Sequence, residues 1–193
     1  NTDDKRVAAM ASLSKGKVIT YGIDNEAFVR ASEIEVKGFG ETTFTLCVGD
    51  ETARVTFPLN GRHNILNALA AAAAGHSFGL PAAEIAKSLS NVAAPPQRGE
   101  ILRFKKGFVV VNDSYNSNPD ALLSMVSMLF DSASKGARKI VVAGEMLELG
   151  ADAAAIHRRV GGDIAKRGID VLIGVRGFGS ELVEGAKDGG IAD

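Results

Sequence analysis

Residues 112–118 gather the densest hydrogen-bonding chemistry in the chain: Asn112, Asp113, Ser114, Tyr115, Asn116, Ser117 and Asn118 follow one another without an apolar interruption. Every one of these side chains can donate or accept a hydrogen bond. Just before them, Val109 to Val111 are β-branched and apolar, as suits a short strand covered on both faces. Just after them, Asn118 can cap a helix, Pro119 fits its first turn, and Asp120 complements the positive end of its dipole. A polar loop past the carboxyl end of a strand is where open α/β sheets hold ligands. An ordinary strand-to-helix loop is the alternative reading.

A second group of candidates lies at Asn60-Gly61-Arg62-His63-Asn64-Ile65-Leu66-Asn67-Ala68, ahead of an alanine run to Gly75. Dense alanine predicts a helix packed closely on its neighbours. His63 and Asn67 are four apart and share a face near the helix start. An Asn amide presents donor and acceptor side by side, which matches the edge of adenine. Capping of the helix by these polar residues is an equal reading. Arg98 ends a proline-bearing stretch and could offer a planar fork to a phosphate, although a solvated arginine has the same sequence. Glu145 and Glu148 could serve a metal or a substrate, with a solvated loop the blander reading. His157 is read as a packing or surface residue of an amphipathic helix.

Several motifs are missing. No Gly-x-Gly-x-x-Gly follows a strand, since Gly177-Phe178-Gly179 lacks the third glycine, and no Gly-x-x-x-x-Gly-Lys-Ser/Thr occurs. His63, His76 and His157 lack the paired ligand spacing of a structural zinc site.

The elements that must position these residues fall into two patterns. Residues 1–16 predict a polar start and a short helix with Val7, Met10 and Leu13 on one face. Strand-like runs follow at 17–21, 28–36, 42–48 and 53–58, with turn chemistry at Gly38-Phe39-Gly40 and Gly49-Asp50, so antiparallel pairing at a sheet edge is expected. A helix over 80–89 is expected to carry Pro81 in its first turn. The stretch 91–100 reads as a linker stiffened by Pro95 and Pro96. Beyond it, strands at 108–111, 139–143 and 171–175 alternate with helices at 119–133, 151–166 and 180–186. Such alternation implies right-handed βαβ units in a parallel, doubly wound sheet. The loops 112–118, 144–150 and 176–179 would then crowd one edge of that sheet.

Composition excludes whole classes. The chain has 193 residues and a formal net charge of −1, which gives no basis for binding a phosphate backbone or a polybasic membrane surface. No apolar run is long enough to span a bilayer, and no signal peptide opens the chain. Cys47 is the sole cysteine, which rules out an internal disulfide and fits the cytoplasm. The start at Asn1, without Met, leads us to expect a fragment or a processed product.

The run Asn112 to Asp120, followed by Gly144-Glu145-Met146-Leu147-Glu148-Leu149-Gly150, resembles the Mur ligases of bacterial cell-wall synthesis. Gly61 to Ala68 is similar to that family's adenine-side helix, and Asn1-Thr2-Asp3-Asp4 to its central-domain motif. The resemblance covers nearly the whole chain. It implies a partial central ATP-binding α/β domain with antiparallel edge strands at 1–98, then an incomplete, Rossmann-like, doubly wound C-terminal domain at 99–193. It implies ATP and Mg2+ as cofactors, with the magnesium ligands, a carbamylated lysine, the phosphate-binding loop and a UDP-sugar domain expected ahead of Asn1. Activity of the fragment alone is not expected.

By position, the resemblance implies that Asn67, with His63 and Asn64, contacts adenine. It places Asp113 at the ribose hydroxyls and Arg98 at the phosphates. Tyr115, Asn116 and Asn118 would line the amine-substrate pocket, with Arg98 and Tyr115 counted as catalytic, and 95–97 would act as a hinge. The implied partners are a UDP-N-acetylmuramoyl-tripeptide and D-alanyl-D-alanine, joined as an amide. Neither nucleic acid nor membrane insertion is expected, and the protein is expected to be a monomer. A sister ligase adding a diamino acid or glutamate, the folylpolyglutamate synthases among them, would use the same nucleotide residues. The absence of a lysine beside Asp113 leans toward the dipeptide. A non-catalytic nucleotide- or peptide-binding module is the alternative of a different class.

Overall fold

Alternation of apolar and polar residues between 29 and 57 produces a meander of strands with one buried face. In the computed structural model, which describes residues 1–191, these are β1 (Tyr21–Gly22), β2 (Val29–Gly38), β3 (Glu41–Val48) and β4 (Glu51–Phe57). β2 pairs antiparallel with β3 and β3 with β4, so that Ala31 faces Leu46 and Leu46 faces Ala53 across the sheet. β1 adds to β2 in parallel. Period-two spacing turns Val29, Ala31, Phe44, Leu46, Val48, Val55 and Phe57 to the same covered side.

The cover comes from two helices, α2 (Arg62–Ser77) and α3 (Ala82–Leu89), following a short α1 (Lys5–Ala9) at the start. α2 buries Ile65, Ala68, Leu69, Ala72 and Ala73, and α3 buries Ala82, Ile85, Ala86 and Leu89. The methyl-sized side chains of α2 let its backbone approach the core closely. At the start of α3 the Ala82 N–H donates to the Glu51 carboxylate at 2.8 Å. Pro81 stands at the N-cap of α3 rather than inside its first turn.

The chain divides into two compact units, Asn1–Ala94 and Pro95–Asp193, each with its own hydrophobic core. The second unit contains β5 (Glu100–Arg103), β6 (Val109–Asn112), α4 (Pro119–Ser132), β7 (Ile140–Gly144), α5 (Ala153–Ala165), β8 (Val171–Val175) and α6 (Gly179–Asp188). β7 and β8 pair in parallel, the βαβ arrangement of an α/β layer. Its core joins Val126 of α4, Val141 and Ala143 of β7, Val160 and Ile164 of α5, and Leu182 of α6.

Helices α5 and α6 touch backbone to backbone. A Cβ placed on Gly161 would stand 1.9 Å from the Leu182 carbonyl oxygen, and one on Gly185 would stand 1.8 Å from that of Arg158. Only glycine allows this crossing.

Four sequence expectations are corrected at the element level. Val7, Met10 and Leu13 form no buried stripe: all three are exposed, and α1 runs on as a single 3-10 turn at Met10–Leu13. The strand expected at 17–21 shrinks to β1, since only Tyr21 and Gly22 find ladder partners. β6 is not covered on both faces, because Val110 is 39% exposed. Finally, β6 pairs antiparallel with β5, a strand the sequence reading did not contain, while the parallel ladder joins β7 with β8. Among the described residues, no helix is long and apolar enough to cross a membrane.

Candidate functional site

The first group of candidate residues sits at the amino end of α2, and a buried asparagine holds it there. Asn60 is 4% exposed. Its amide nitrogen donates to the Gly38 carbonyl at 2.8 Å and to Thr42 Oγ1 at 3.3 Å, while the Gly40 N–H donates to its Oδ1. Asn64 donates in turn to the Asn60 carbonyl at 2.8 Å. The start of α2 is therefore riveted to the β2–β3 turn, and Asn64 has a bracing role in addition to any it has toward a ligand. His63 is half-buried and Asn67 exposed, one turn apart on one helix face. Asn67 makes no side-chain hydrogen bond to the described residues, so its donor and acceptor edges are both open.

Asp3 organises the loop after β1 in the same unit. Its carboxylate accepts from the backbone N–H groups of Ile23, Asp24 and Asn25 at 2.7, 3.1 and 3.0 Å, and from the Asn25 side chain at 3.0 Å. Burial alone would push this carboxyl up; the four hydrogen bonds to its charged form outweigh burial and hold it below its ordinary value. A Cβ on Gly22 would lie 2.2 Å from Thr2 Oγ1, so a larger residue there would push the Thr2 side chain aside.

In the second unit, the turn ahead of β5 and the loop after β6 meet. The Arg98 guanidinium lies over the Tyr115 ring, 3.9 Å from its centroid, and the Tyr115 N–H donates to the Gln97 carbonyl at 3.3 Å. Glu100 ties the two segments further, accepting from the Asn112 amide at 3.2 Å and the Gln97 N–H at 3.3 Å. Antiparallel pairing of Glu100 with Asn112 is what sets these residues side by side. Stacking is worth about 0.5–1 kcal/mol at an exposed site, enough to give two long side chains a preferred pose.

Ser114 folds back on Asn112, its hydroxyl donating to Oδ1 at 2.8 Å. Asn118 caps α4 as its sequence suggested: its Oδ1 accepts from the Ala121 N–H at 2.9 Å, with Pro119 in the first turn. Asn116 is exposed and makes no hydrogen bond to the described residues. Asp113 is half-buried in the same loop. Arg98 and Tyr115 are thus brought together, and Asn118 is engaged at the helix start. Asn116 remains presented outward.

The loops after β7 and β8 adjoin each other. Gly177 has φ +42°, a conformation that calls for glycine, and a Cβ there would fall 2.3 Å from the Glu145 carboxylate, which would have to swing aside. Buried behind them is His157, 0% exposed. Its Nε2 accepts from the Met146 N–H at 2.8 Å, and its Nδ1 lies 2.7 Å from the Ala153 carbonyl. An Nε2 that accepts carries no proton, so Nδ1–H donates to Ala153. The ring also packs on Phe178, with centroids 5.4 Å apart.

The sequence reading missed the bracing roles of Asn60 and Asp3. The available signals were Asn60 directly before a glycine at a strand-to-helix junction, and an acid two residues from the chain start. Three non-glycine residues near these loops adopt left-handed backbone: Gln97, Glu148 and Arg176, with φ of 62°, 63° and 62°. Among the described residues, no group of three or more His, Cys, Asp or Glu side chains is gathered to hold a metal ion.

An α/β unit with a parallel β7–β8 pair, and a meander backed by an alanine-rich helix, match one known class along both units. The model of the Mur ligase middle domain matches residues 1–75, and that of the Mur ligase glutamate-ligase domain matches residues 97–190. The chain belongs to the Mur ligase family. It is 35% identical over 167 residues to the UDP-N-acetylmuramoyl-tripeptide–D-alanyl-D-alanine ligase of Mycobacterium tuberculosis, covering 83% of this chain and 32% of that protein. It is also 35% identical over 144 residues to the UDP-N-acetylmuramoyl-L-alanyl-D-glutamate–2,6-diaminopimelate ligase of Halalkalibacterium halodurans, covering 75% of this chain and 29% of that one. Among solved structures, MurF from Acinetobacter baumannii superposes with a TM-score of 0.85 at 26% identity, over 95% of this chain and 39% of that chain. The chain spans about a third of the length of the curated relatives it matches.

Proposed function

We propose that the protein containing this chain is an ATP-dependent amide ligase of peptidoglycan precursor synthesis that joins D-alanyl-D-alanine to a UDP-N-acetylmuramoyl-tripeptide. The observation that carries this reading is the 35% identity over 167 residues to a ligase of that name, extending through both units. In the proposed reaction, the tripeptide carboxylate attacks the γ-phosphorus of ATP and ADP leaves. The amine of the dipeptide attacks the acyl carbon, phosphate departs, and an amide forms with loss of the amine proton. A carboxylate is a poor electrophile, and phosphorylation supplies the leaving group it lacks. Catalysis then rests on positioning and on balancing phosphate charge.

Within this reading the open amide edges of Asn67, with His63 and Asn64, serve adenine, and Asp113 accepts from the ribose hydroxyls. Arg98, its guanidinium face set by Tyr115, meets the phosphates. Tyr115, Asn116 and Asn118 serve the dipeptide. Asn118 retains only its amide nitrogen for this, since its oxygen caps α4. Magnesium would accompany the ATP, and the enzyme would work in the cytoplasm as a monomer. Domain limits at 98 and 99 belong to the same proposal.

A second reading has its own support in the H. halodurans relative, a ligase for 2,6-diaminopimelate. ADP release by the intact gene product, with ATP and UDP-linked substrates present and the amine varied, separates the two. Dependence on D-alanyl-D-alanine supports the first reading, and dependence on a diamino acid moves the protein to the sister ligase. No release with any amine from folded protein leaves a binding module.

A further inference from the structure

A histidine in the middle of a helix ordinarily faces solvent or fills space. His157 is fully buried and does more than fill space: both ring nitrogens are engaged by backbone groups. One of those groups, the Met146 N–H, belongs to the loop 144–150, eleven positions away in sequence and outside the helix. Met146 itself is 1% exposed, so its amide has no water to turn to and depends on the imidazole. The adjacent residue, Glu145, lies against Gly177. Glu145 is half-buried as a residue, and its carboxylate makes no hydrogen bond or ion pair with the described residues. Phe178 packs against the ring, with centroids 5.4 Å apart. The backbone on each side of Glu145 is thus constrained while its charge is left unanswered.

We propose that His157 is a positioning residue, fixing the 144–150 loop at Met146 so that the Glu145 carboxylate stands ready to accept from the amine of the incoming substrate. The inference rests on the ligase reading for the identity of that amine, and on geometry alone for the lock. A substrate amine arrives as an ammonium, and a carboxylate anchored beside two strand ends offers it a charge-assisted hydrogen bond. The imidazole must be neutral, with its proton on Nδ1, for Nε2 to accept.

The test compares His157→Leu, His157→Gln and Glu145→Gln in the intact gene product. Glutamine can present its carbonyl oxygen near the position of Nε2, whereas leucine cannot accept at all. His157→Leu should raise KM for D-alanyl-D-alanine about tenfold, the effect of one lost charge-assisted contact, leave KM for ATP unchanged, and speed amide exchange at Met146. His157→Gln should restore both readouts toward wild type. Glu145→Gln should raise the amine KM without changing exchange at Met146. Equal behaviour of the Leu and Gln variants, or parallel rises in both KM values, overturns the proposal. Should the Leu variant not fold, imidazole 15N shifts of the wild-type protein decide: a proton on Nδ1 supports the lock and a proton on Nε2 overturns it. Absence of amine-dependent turnover in wild type refutes the ligase reading and the substrate half of the inference, while Met146 exchange and the 15N shifts still judge the lock.

Discussion

Asp3 accepts three backbone N–H groups and one side-chain amide from residues 23–25, so the folded protein favours its charged form. Its carboxyl is held below the unfolded value of about 3.9. The stability it contributes is therefore fully present above that pH and is lost as pH falls through the folded value. Asp3→Asn should flatten the acid dependence of unfolding in the first unit, read by urea titration at pH 6 and pH 3; an unchanged difference between the two would dismiss the role. Gly177→Ala should cost about 1–2 kcal/mol from left-handed backbone alone, and should also displace the Glu145 carboxylate, both visible in denaturant midpoints and amide spectra. At this scale the sequence disclosed residues whose partners are local. The Asn118 cap lies three residues from the amide it accepts, and Asn67 could be placed on its helix face by spacing. Asn60 and His157 were not legible in the same way. Asn60 reaches carbonyl and hydroxyl groups 18–22 residues away, and the amide bonded by His157 belongs to a different element.

Helices α5 and α6 meet through glycines with no side chain between their backbones. Replacing Gly161 by alanine raises helix propensity by about 1 kcal/mol. The new methyl would collide with a carbonyl oxygen that cannot rotate away, and forced overpacking costs about 1–3 kcal/mol. The collision should win, lowering the unfolding free energy of the Gly161→Ala variant; a gain in stability by chemical denaturation would show that the helices can separate without loss. At the start of α4, Asn118→Ala should cost about 1 kcal/mol through the lost cap, measured the same way. Helix positions were readable because capping residues and the 3.6-residue period are written locally. β5 was hidden because its four residues, Glu-Ile-Leu-Arg, alternate too briefly after a proline-bearing stretch. The partner of β6 was hidden for a related reason, since a strand's own residues do not say which edge it joins.

The two hydrophobic cores share no residue, one built from Val29 to Leu89 and the other from Val126 to Leu182. Phe44→Ala should destabilise the first by about 3–5 kcal/mol, and Ile164→Ala the second by about 2–5 kcal/mol. Residues without shared partners act additively to within about 0.5 kcal/mol. Hydrogen exchange should therefore show each substitution loosening its own core while the other keeps its protection. Loss of protection in both cores from one substitution would count against this. The sequence pattern changes around residues 91–100, where turn-linked strands give way to strands alternating with helices. The family was legible from short polar runs that keep their order along both units.

Gln97, Glu148 and Arg176 hold left-handed backbone without being glycine. Such a conformation costs a side-chain-bearing residue about 1–2 kcal/mol, while glycine in its place would lose about 0.5–1 kcal/mol of chain entropy. Strain exceeds that entropy by about 0–1 kcal/mol, so glycine would be tolerated or mildly preferred there, whereas β-branched residues and proline would be penalised further. Folding therefore narrows the choice at these positions to glycine and unbranched residues, and what the loop must touch selects among them. For an engineer seeking to alter what this protein accepts, libraries at these three codons should be restricted to glycine, asparagine, aspartate and unbranched side chains.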